Sequence, residues 1–138
     1  MRYGASEWER AKALVFFRIY GDVRGMRVGI ARFQRAKGFS VIRNVNGVGG
    51  YIFFQSGSKG WWVYDIFLHE GNVRSSPRNV VHEICHMVSD VGERRGFARG
   101  GELECDEVGA LYESFWKWER RSRKRRKEKR DGVHGTDG

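Results

Sequence analysis

The chain has little proline and little cysteine. One proline, Pro77, occurs in 138 residues, so long helices and strands are permitted almost throughout. Two cysteines, Cys85 and Cys105, are fewer than a secreted disulfide scaffold would carry, which favours a reducing compartment. The apolar run at 13–17 ends at Arg18, far short of the roughly 20 residues that span a bilayer, and no signal peptide is evident. These absences predict a soluble, cytoplasmic protein without a membrane partner.

Positive charge is concentrated near one end of the chain. The formal net charge is +9, yet segment 117–130 holds ten Lys or Arg and two Glu, so the remainder is nearly neutral. We therefore predict one domain at 1–118 and a basic tail at 119–138, in which helix is permitted but nothing packs against it. Such a tail can bind nucleic-acid phosphates without sequence preference or simply be solvated. The residues expected to make phosphate contacts are Arg120, Arg121, Arg123, Lys124, Arg125, Arg126 and Lys127.

The first half of the chain predicts one helix followed by strands. Ser6 and Glu9 form a capping-box pattern, and apolar residues then recur at helical spacing, so a helix is predicted over 7–20. Apolar residues alternate with others from Met26 onward, and several glycine-containing turn signals follow. These features predict a meander of three or four mostly antiparallel strands between residues 24 and 70.

The strand and helices predicted next surround the most informative motif. The strand at 61–69 is apolar on both faces, which is typical of a central strand. Ser76 suits an N-cap and Pro77 a first helical position, so a helix is predicted from there to about Gly92. A last helix is predicted from Glu102 through Trp118, continuing into the tail. The fold class is therefore α+β.

The segment His82-Glu83-Ile84-Cys85-His86 has the H-E-x-x-H pattern, at the centre of a predicted helix. Residues four apart lie on one helix face, so His82 and His86 can direct both imidazoles at one metal ion. Glu83 lies beside the pair, where a general base can take a proton from water. The pattern predicts a zinc site; a structural or catalytically silent motif is the alternative.

A catalytic zinc site needs a third protein ligand, and four acidic residues fall within the six positions 102–107. Glu102 is the predicted ligand and Glu104 the alternative, because the helix face continuing from Glu104 is more apolar and typical of core. Asp106, one turn after Glu102, is predicted to accept the second ring N–H of a ligand histidine. Gly109 is predicted to let this helix approach the motif helix closely. Acidic residues are also favoured at the N-terminus of any helix, so the cluster has a purely structural interpretation as well.

This motif followed by Glu-Leu-Glu-Cys-Asp-Glu-Val-Gly-Ala-Leu at 102–111 resembles the gluzincin zinc metallopeptidases, especially the HtpX-type and ImmA/IrrE-type catalytic domains. The resemblance covers about residues 61–116. It implies a minimal zincin fold, with an N-terminal helix, a sheet, the H-E-x-x-H helix and a third-ligand helix. It also implies an edge strand along which an extended peptide substrate lies.

The predicted function is hydrolysis of peptide bonds in a peptide or protein substrate. Zinc held by His82, His86 and Glu102 would supply an activated water, and Glu83 would be the general base. Tyr112 and His69 are candidate donors to the oxyanion. The alternative function is that of a nucleic-acid-associated protein that works through its basic tail, and the two functions can coexist.

Overall fold

The computed structural model describes residues 1–38, 50–56, 61–75, 77–96 and 100–135. Predictions that fall on 39–49, on 57–60 or on Ser76 lie outside the described residues, including the turn signals and the proposed N-cap. Within the described ranges the α+β class is confirmed. The elements are β1 (Arg2–Trp8), a short 3-10 turn (Glu9–Ala11), β2 (Ala13–Tyr20), α1 (Val23–Lys37), β3 (Gly50–Ser56), β4 (Trp62–His69), α2 (Glu70–Ser75), α3 (Pro77–Arg95) and α4 (Glu102–Gly135).

The four described strands form one mixed sheet in the order β1-β2-β4-β3. The pairs β1/β2 and β3/β4 are antiparallel, and β2 runs parallel to β4 in the register Phe17↔Ile66. The central position predicted for the strand at 61–69 is confirmed, and two of the three pairings are antiparallel as predicted. The meander is wrong, because a parallel pair needs a crossover between its strands.

The helix predicted over 7–20 is wrong, since this segment forms β1, the 3-10 turn and β2. Along β2 every second side chain, from Ala13 through Val15 and Phe17 to Ile19, is fully buried and the others are half-buried. Burial with period two requires a strand, and the β-branched and aromatic residues of this run favour one.

The strand predicted around Met26 is also wrong, because residues 23–37 form α1. Met26, Ile30 and Gln34 are buried at a spacing of four, whereas Val28 is 45% exposed. The side chain of Asp22 caps the helix by accepting a hydrogen bond from the backbone N–H of Gly25 at 2.7 Å. Gly38 ends it with a left-handed backbone at φ 75°.

Helices cover both faces of the sheet. Val15, Phe17 and Ile19 of β2 form one core with Tyr64, Ile66 and Leu68 of β4, and α3 and α4 close it. Phe67 points to the opposite face, where it packs with Met26 and Ile30 of α1 in a second, smaller core. The sheet therefore separates α3 and its motif from α1.

Helix α4 continues into the basic segment, as predicted, but its first turns beyond Trp118 are not free of contacts. Glu119 is 1% exposed and accepts a hydrogen bond from Arg2 at 2.5 Å and another from Arg123. Arg2 and Arg126 both also reach Glu70 of α2, at 2.9 and 3.3 Å. This charge cluster, Arg2, Glu70, Glu119, Arg123 and Arg126, ties α4 to β1 and α2. The expectation that nothing packs against this part of the chain is therefore wrong for the two turns after Trp118.

Candidate metal centre

Helix α3 begins at Pro77, as predicted, and its apolar side orients the motif. Ile84, Met87 and Val88 are fully buried against the sheet, so the positions on the opposite side face outward. The buried hydroxyl of Tyr64 donates a hydrogen bond to Asp90 at 2.8 Å, which fixes the helix on β4. His82 and His86 consequently lie exposed on the outer face of α3.

The two histidine rings converge. The Nε2 atoms of His82 and His86 are 3.0 Å apart, with ring centroids at 4.6 Å. Two imidazole nitrogens bound to one tetrahedral zinc, at about 2.0–2.1 Å each, would stand about 3.3 Å apart. The two nitrogens could therefore occupy two coordination positions of one zinc ion after moving apart by a few tenths of an ångström.

Glu83 lies beneath the histidines, next to the first residue of β3, the edge strand of the described sheet. Glu83 is 8% exposed. Burial raises the pKa of its carboxyl, while the charges of His82 and His86 act to lower that pKa. A Cβ at Gly50, the first residue of β3, would stand 2.9 Å from Cγ of Glu83. The strand can approach this closely because residue 50 has no side chain. The sequence gives no signal that Gly50 lies close to the motif, because this glycine is one of several between the predicted strands.

The face of α4 that turns toward α3 is the Glu104 face. Burial raises the pKa of the Cys85 thiol, and the neighbouring Glu104 and Cys105 raise it further, so these groups lie near Cys85. Leu111, on the same stripe as Glu104, is buried as predicted for that stripe. Glu104 is thus the acid of this helix that lies toward the motif.

The Glu102 side of α4 faces solvent. Glu102 and Asp106 are both exposed. A Cβ at Gly109 would meet nothing within 4 Å, so the prediction that this glycine permits a close helix approach is wrong. The orientation of α4 therefore favours Glu104 over Glu102 as a candidate third ligand.

The ligand set is nevertheless incomplete. Among the described residues, no group of three or more His, Cys, Asp or Glu side chains is placed to hold a metal ion. The carboxylate of Glu104 accepts a hydrogen bond from the backbone N–H of Gly100 at 3.2 Å, and Glu107 accepts one from the indole of Trp8 at 2.5 Å. Two of the clustered acids thus have protein partners, so the cluster by itself does not require a cation. The spacing of the histidine pair is close to that of two ligands of one zinc ion, and among the described residues no third ligand completes the set.

Of the two candidate oxyanion donors, His69 is separated from Glu83 by the sheet, and Tyr112 lies on α4. His69 follows Leu68 on β4, so it lies on the α1 face of the sheet, where burial lowers its pKa and its Nδ1 accepts a hydrogen bond from Gly71 N–H at 3.1 Å. Tyr112 is half-buried on α4 and packs edge-on against Trp116. The structure assigns packing contacts to Tyr112 and a local turn contact to His69.

No family model, no curated protein and no solved structure matches this chain. Along the described ranges, no helix combines the length and the apolar character needed to cross a membrane.

Proposed function

We propose that the chain is a zinc-dependent metallopeptidase of the gluzincin type. The observation that supports this most strongly is the 3.0 Å separation of the His82 and His86 Nε2 atoms on the same helix turn as the buried Glu83. Two ring nitrogens that converge on the exposed face of a helix are suited to binding one cation. The resemblance of residues 82–86 and 102–111 to the gluzincins points to the same function.

Each residue of the motif has a separate role in this proposal. His82 and His86 would hold the zinc, and Glu104 is the acid best oriented to join them after a change of its side-chain position. The chemistry that zinc supplies at such a site is a water whose pKa falls to about 7. Glu83 then accepts the proton of the attacking water and delivers it to the leaving amine nitrogen.

Strand β3 is the proposed substrate platform. It pairs with β4 from Gly50 to Ser56, and none of the other described strands pairs with its second edge. An extended peptide can add to such an edge through main-chain hydrogen bonds. Because Gly50 lies against Glu83, a peptide along this edge would pass the general base.

The metal is tested directly by elemental analysis of purified protein. We expect about one zinc per chain, and for His82→Ala or His86→Ala a loss of affinity greater than the roughly 10–100-fold that losing a second-shell partner costs. Calorimetric titration of the metal-free proteins with zinc measures this change.

His69→Ala is the matched control, because His69 lies on the other face of the sheet and its loss should leave zinc affinity unchanged. Wild-type protein that neither retains zinc nor binds it on titration would exclude the proposed centre.

A second function, nucleic-acid binding through the tail, is favoured by the extent of α4. This helix carries the basic residues outward as far as Gly135, and most of them are exposed. Arg123 and Arg126 are engaged with Glu119 and Glu70, whereas Arg125, Lys129 and Arg130 point to solvent. Exposed cations on a helix can displace counterions from a duplex without reading its sequence.

We expect salt-dependent binding to random-sequence duplex DNA or RNA. Replacing Arg125, Lys129 and Arg130 by Gln should remove three phosphate contacts. Each contact contributes about 0.9 to the slope of log affinity against log salt concentration, so the magnitude of the slope should fall by roughly 2.7. Fluorescence anisotropy across a salt series measures the slope. Substitution is preferable to truncation after Trp118, because truncation also removes Glu119 from the charge cluster.

The control removes the same charge from other surfaces, by changing the exposed Arg35, Arg74 and Arg78 to Gln. If this control lowers the slope as much as the tail variant, binding is a property of net charge and the tail is not a specific interface.

A further inference from the structure

A large open cavity lies on the face of the sheet opposite the motif. Its volume is about 780 Å³, and it is bounded by α1, by the ends of β2 and β4, and by Met1. Volumes of this order, about 300–1,000 Å³, are typical of sites for small organic ligands. Since α3 packs on the other face of the sheet, the cavity is separate from the candidate metal centre.

The interior of the cavity is aromatic. Tyr20 stacks on Phe67 with ring centroids 6.3 Å apart and an interplanar angle of 12°, and Phe33 meets Phe67 edge-on at 5.3 Å. Val28 adds an aliphatic side chain that is 45% exposed at the rim. Phe67 is fully buried, whereas Tyr20 and Phe33 are half-buried and supply the accessible aromatic surface, which can accept a flat ring.

The charge at the rim is positive. Arg24 and Arg32 lie two turns apart on α1, both line the cavity, and both are exposed. Within the described part of the chain neither forms an ion pair, whereas the third arginine, Arg18, is held by the buried Asp65 at 2.9 Å. The lining acid, Asp22, is occupied in capping α1. Two guanidinium groups therefore remain to meet an anion.

The cavity wall depends on a glycine inside a helix. A Cβ at Gly29 would stand 2.2 Å from the hydroxyl oxygen of Tyr20, so only glycine lets this ring lie against α1. Glycine in a helix interior costs about 1 kcal/mol relative to alanine. Position 29 therefore accepts a local cost that keeps Tyr20 in the cavity wall.

We propose that this cavity binds a small planar anion, a ring system that carries a carboxylate or phosphate group. The ring lies against Tyr20 and Phe33, and the anionic group is held by Arg24 and Arg32. Arginine suits this role because its planar fork matches both carboxylate and phosphate. The inference does not rest on the proposed peptidase activity.

Calorimetric titration with 2-naphthoate, and with the neutral 2-naphthalenemethanol, tests the site. We expect saturable binding of one 2-naphthoate, with the neutral compound at least tenfold weaker. The double variant Arg24→Gln/Arg32→Gln should lose about tenfold in affinity for the anion, in keeping with the loss of charge-assisted contacts at an exposed rim. A titration with a nucleoside monophosphate distinguishes phosphate from carboxylate ligands.

Two controls locate the binding. Arg78→Gln removes an exposed arginine from α3, on the other side of the sheet, and should leave affinity unchanged. His82→Ala should also leave it unchanged, which separates this cavity from carboxylate binding at a metal. Absence of saturable 2-naphthoate binding, equal affinity for the neutral compound, or an equal loss in Arg78→Gln would each overturn the proposal.

Discussion

Replacing Glu83 by glutamine is expected to slow peptide hydrolysis by about 10²–10⁴-fold while the zinc content stays at its wild-type level. Glutamine has nearly the same size and can occupy the same buried position, but it cannot take the proton of a water. The imidazole nitrogens of His82 and His86, the proposed zinc ligands, are untouched by the change. Turnover of fluorescein-labelled unfolded casein, measured beside elemental analysis, separates the loss of proton transfer from a loss of metal.

Glu113→Gln is the matched control for this substitution. Glu113 is an exposed glutamate on α4, and it pairs with Lys117 at 3.0 Å on the surface. Its replacement should leave turnover within twofold of wild type, about 0.4 kcal/mol or less. If the Glu83 variant turned over casein at the wild-type rate with equal zinc, Glu83 would not be the general base. Wild-type protein that holds zinc and hydrolyses nothing would instead identify a catalytically silent centre.

The second large effect is expected on stability, from Glu119→Ala. This carboxylate is 1% exposed and lies between Arg2 and Arg123, with Arg2 itself mostly buried. Removing Glu119 takes a charge-assisted hydrogen bond from each arginine, while Glu70 still faces both of them, so we expect a cost of about 1.5–3 kcal/mol. For a chain of this size that corresponds to a fall in Tm of about 5–10 °C. Thermal unfolding followed by circular dichroism measures it.

Glu128→Ala is the control on the same helix. Its side chain is 64% exposed and pairs with Lys124 only at 4.0 Å, so its loss should change the free energy of unfolding by less than about 0.5 kcal/mol. Equal Tm values for the Glu119 and Glu128 variants would show that the charge cluster contributes no stability.

The second half of the fold could be predicted from the sequence because its signals act locally. Pro77 is favoured in the first turn of a helix and disfavoured in its interior. Apolar residues then recur at helical spacing along the motif helix. The strand at 61–69 carries apolar residues on both faces, and only a central strand buries both. These signals do not depend on which distant element packs against them.

The first half was misassigned because its apolar residues satisfy two periods at once. Trp8, Ala11, Val15 and Ile19 fit a helix, yet Val15 and Ile19 also belong to the alternating buried set of β2. Met26 and Ile30 fit either a strand with Val28 or a helix with Gln34. Only tertiary burial, with Val28 exposed and Gln34 buried, decides between the two.

The candidate site was predictable in part for the same reason. The convergence of His82 and His86 follows from the spacing of four on a helix. Which acid of α4 turns toward them depends on the rotation of that helix, which is set by contacts such as Trp8 with Glu107 far along the chain. Zinc binding, peptide hydrolysis and the choice of third ligand stay predictions.

The charge cluster has a consequence for how the chain matures during synthesis. Arg2 and its partner Glu119 are separated by 117 positions, and Arg126 lies further still. A ribosome adds about 5–20 residues per second. The N-terminal strand is therefore made several seconds before α4, which carries Glu119. Of the two carboxylates that hold Arg2, Glu70 is synthesised first and Glu119 only 49 residues later, so for a few seconds Arg2 has one of its two partners and the cluster is completed as α4 is made.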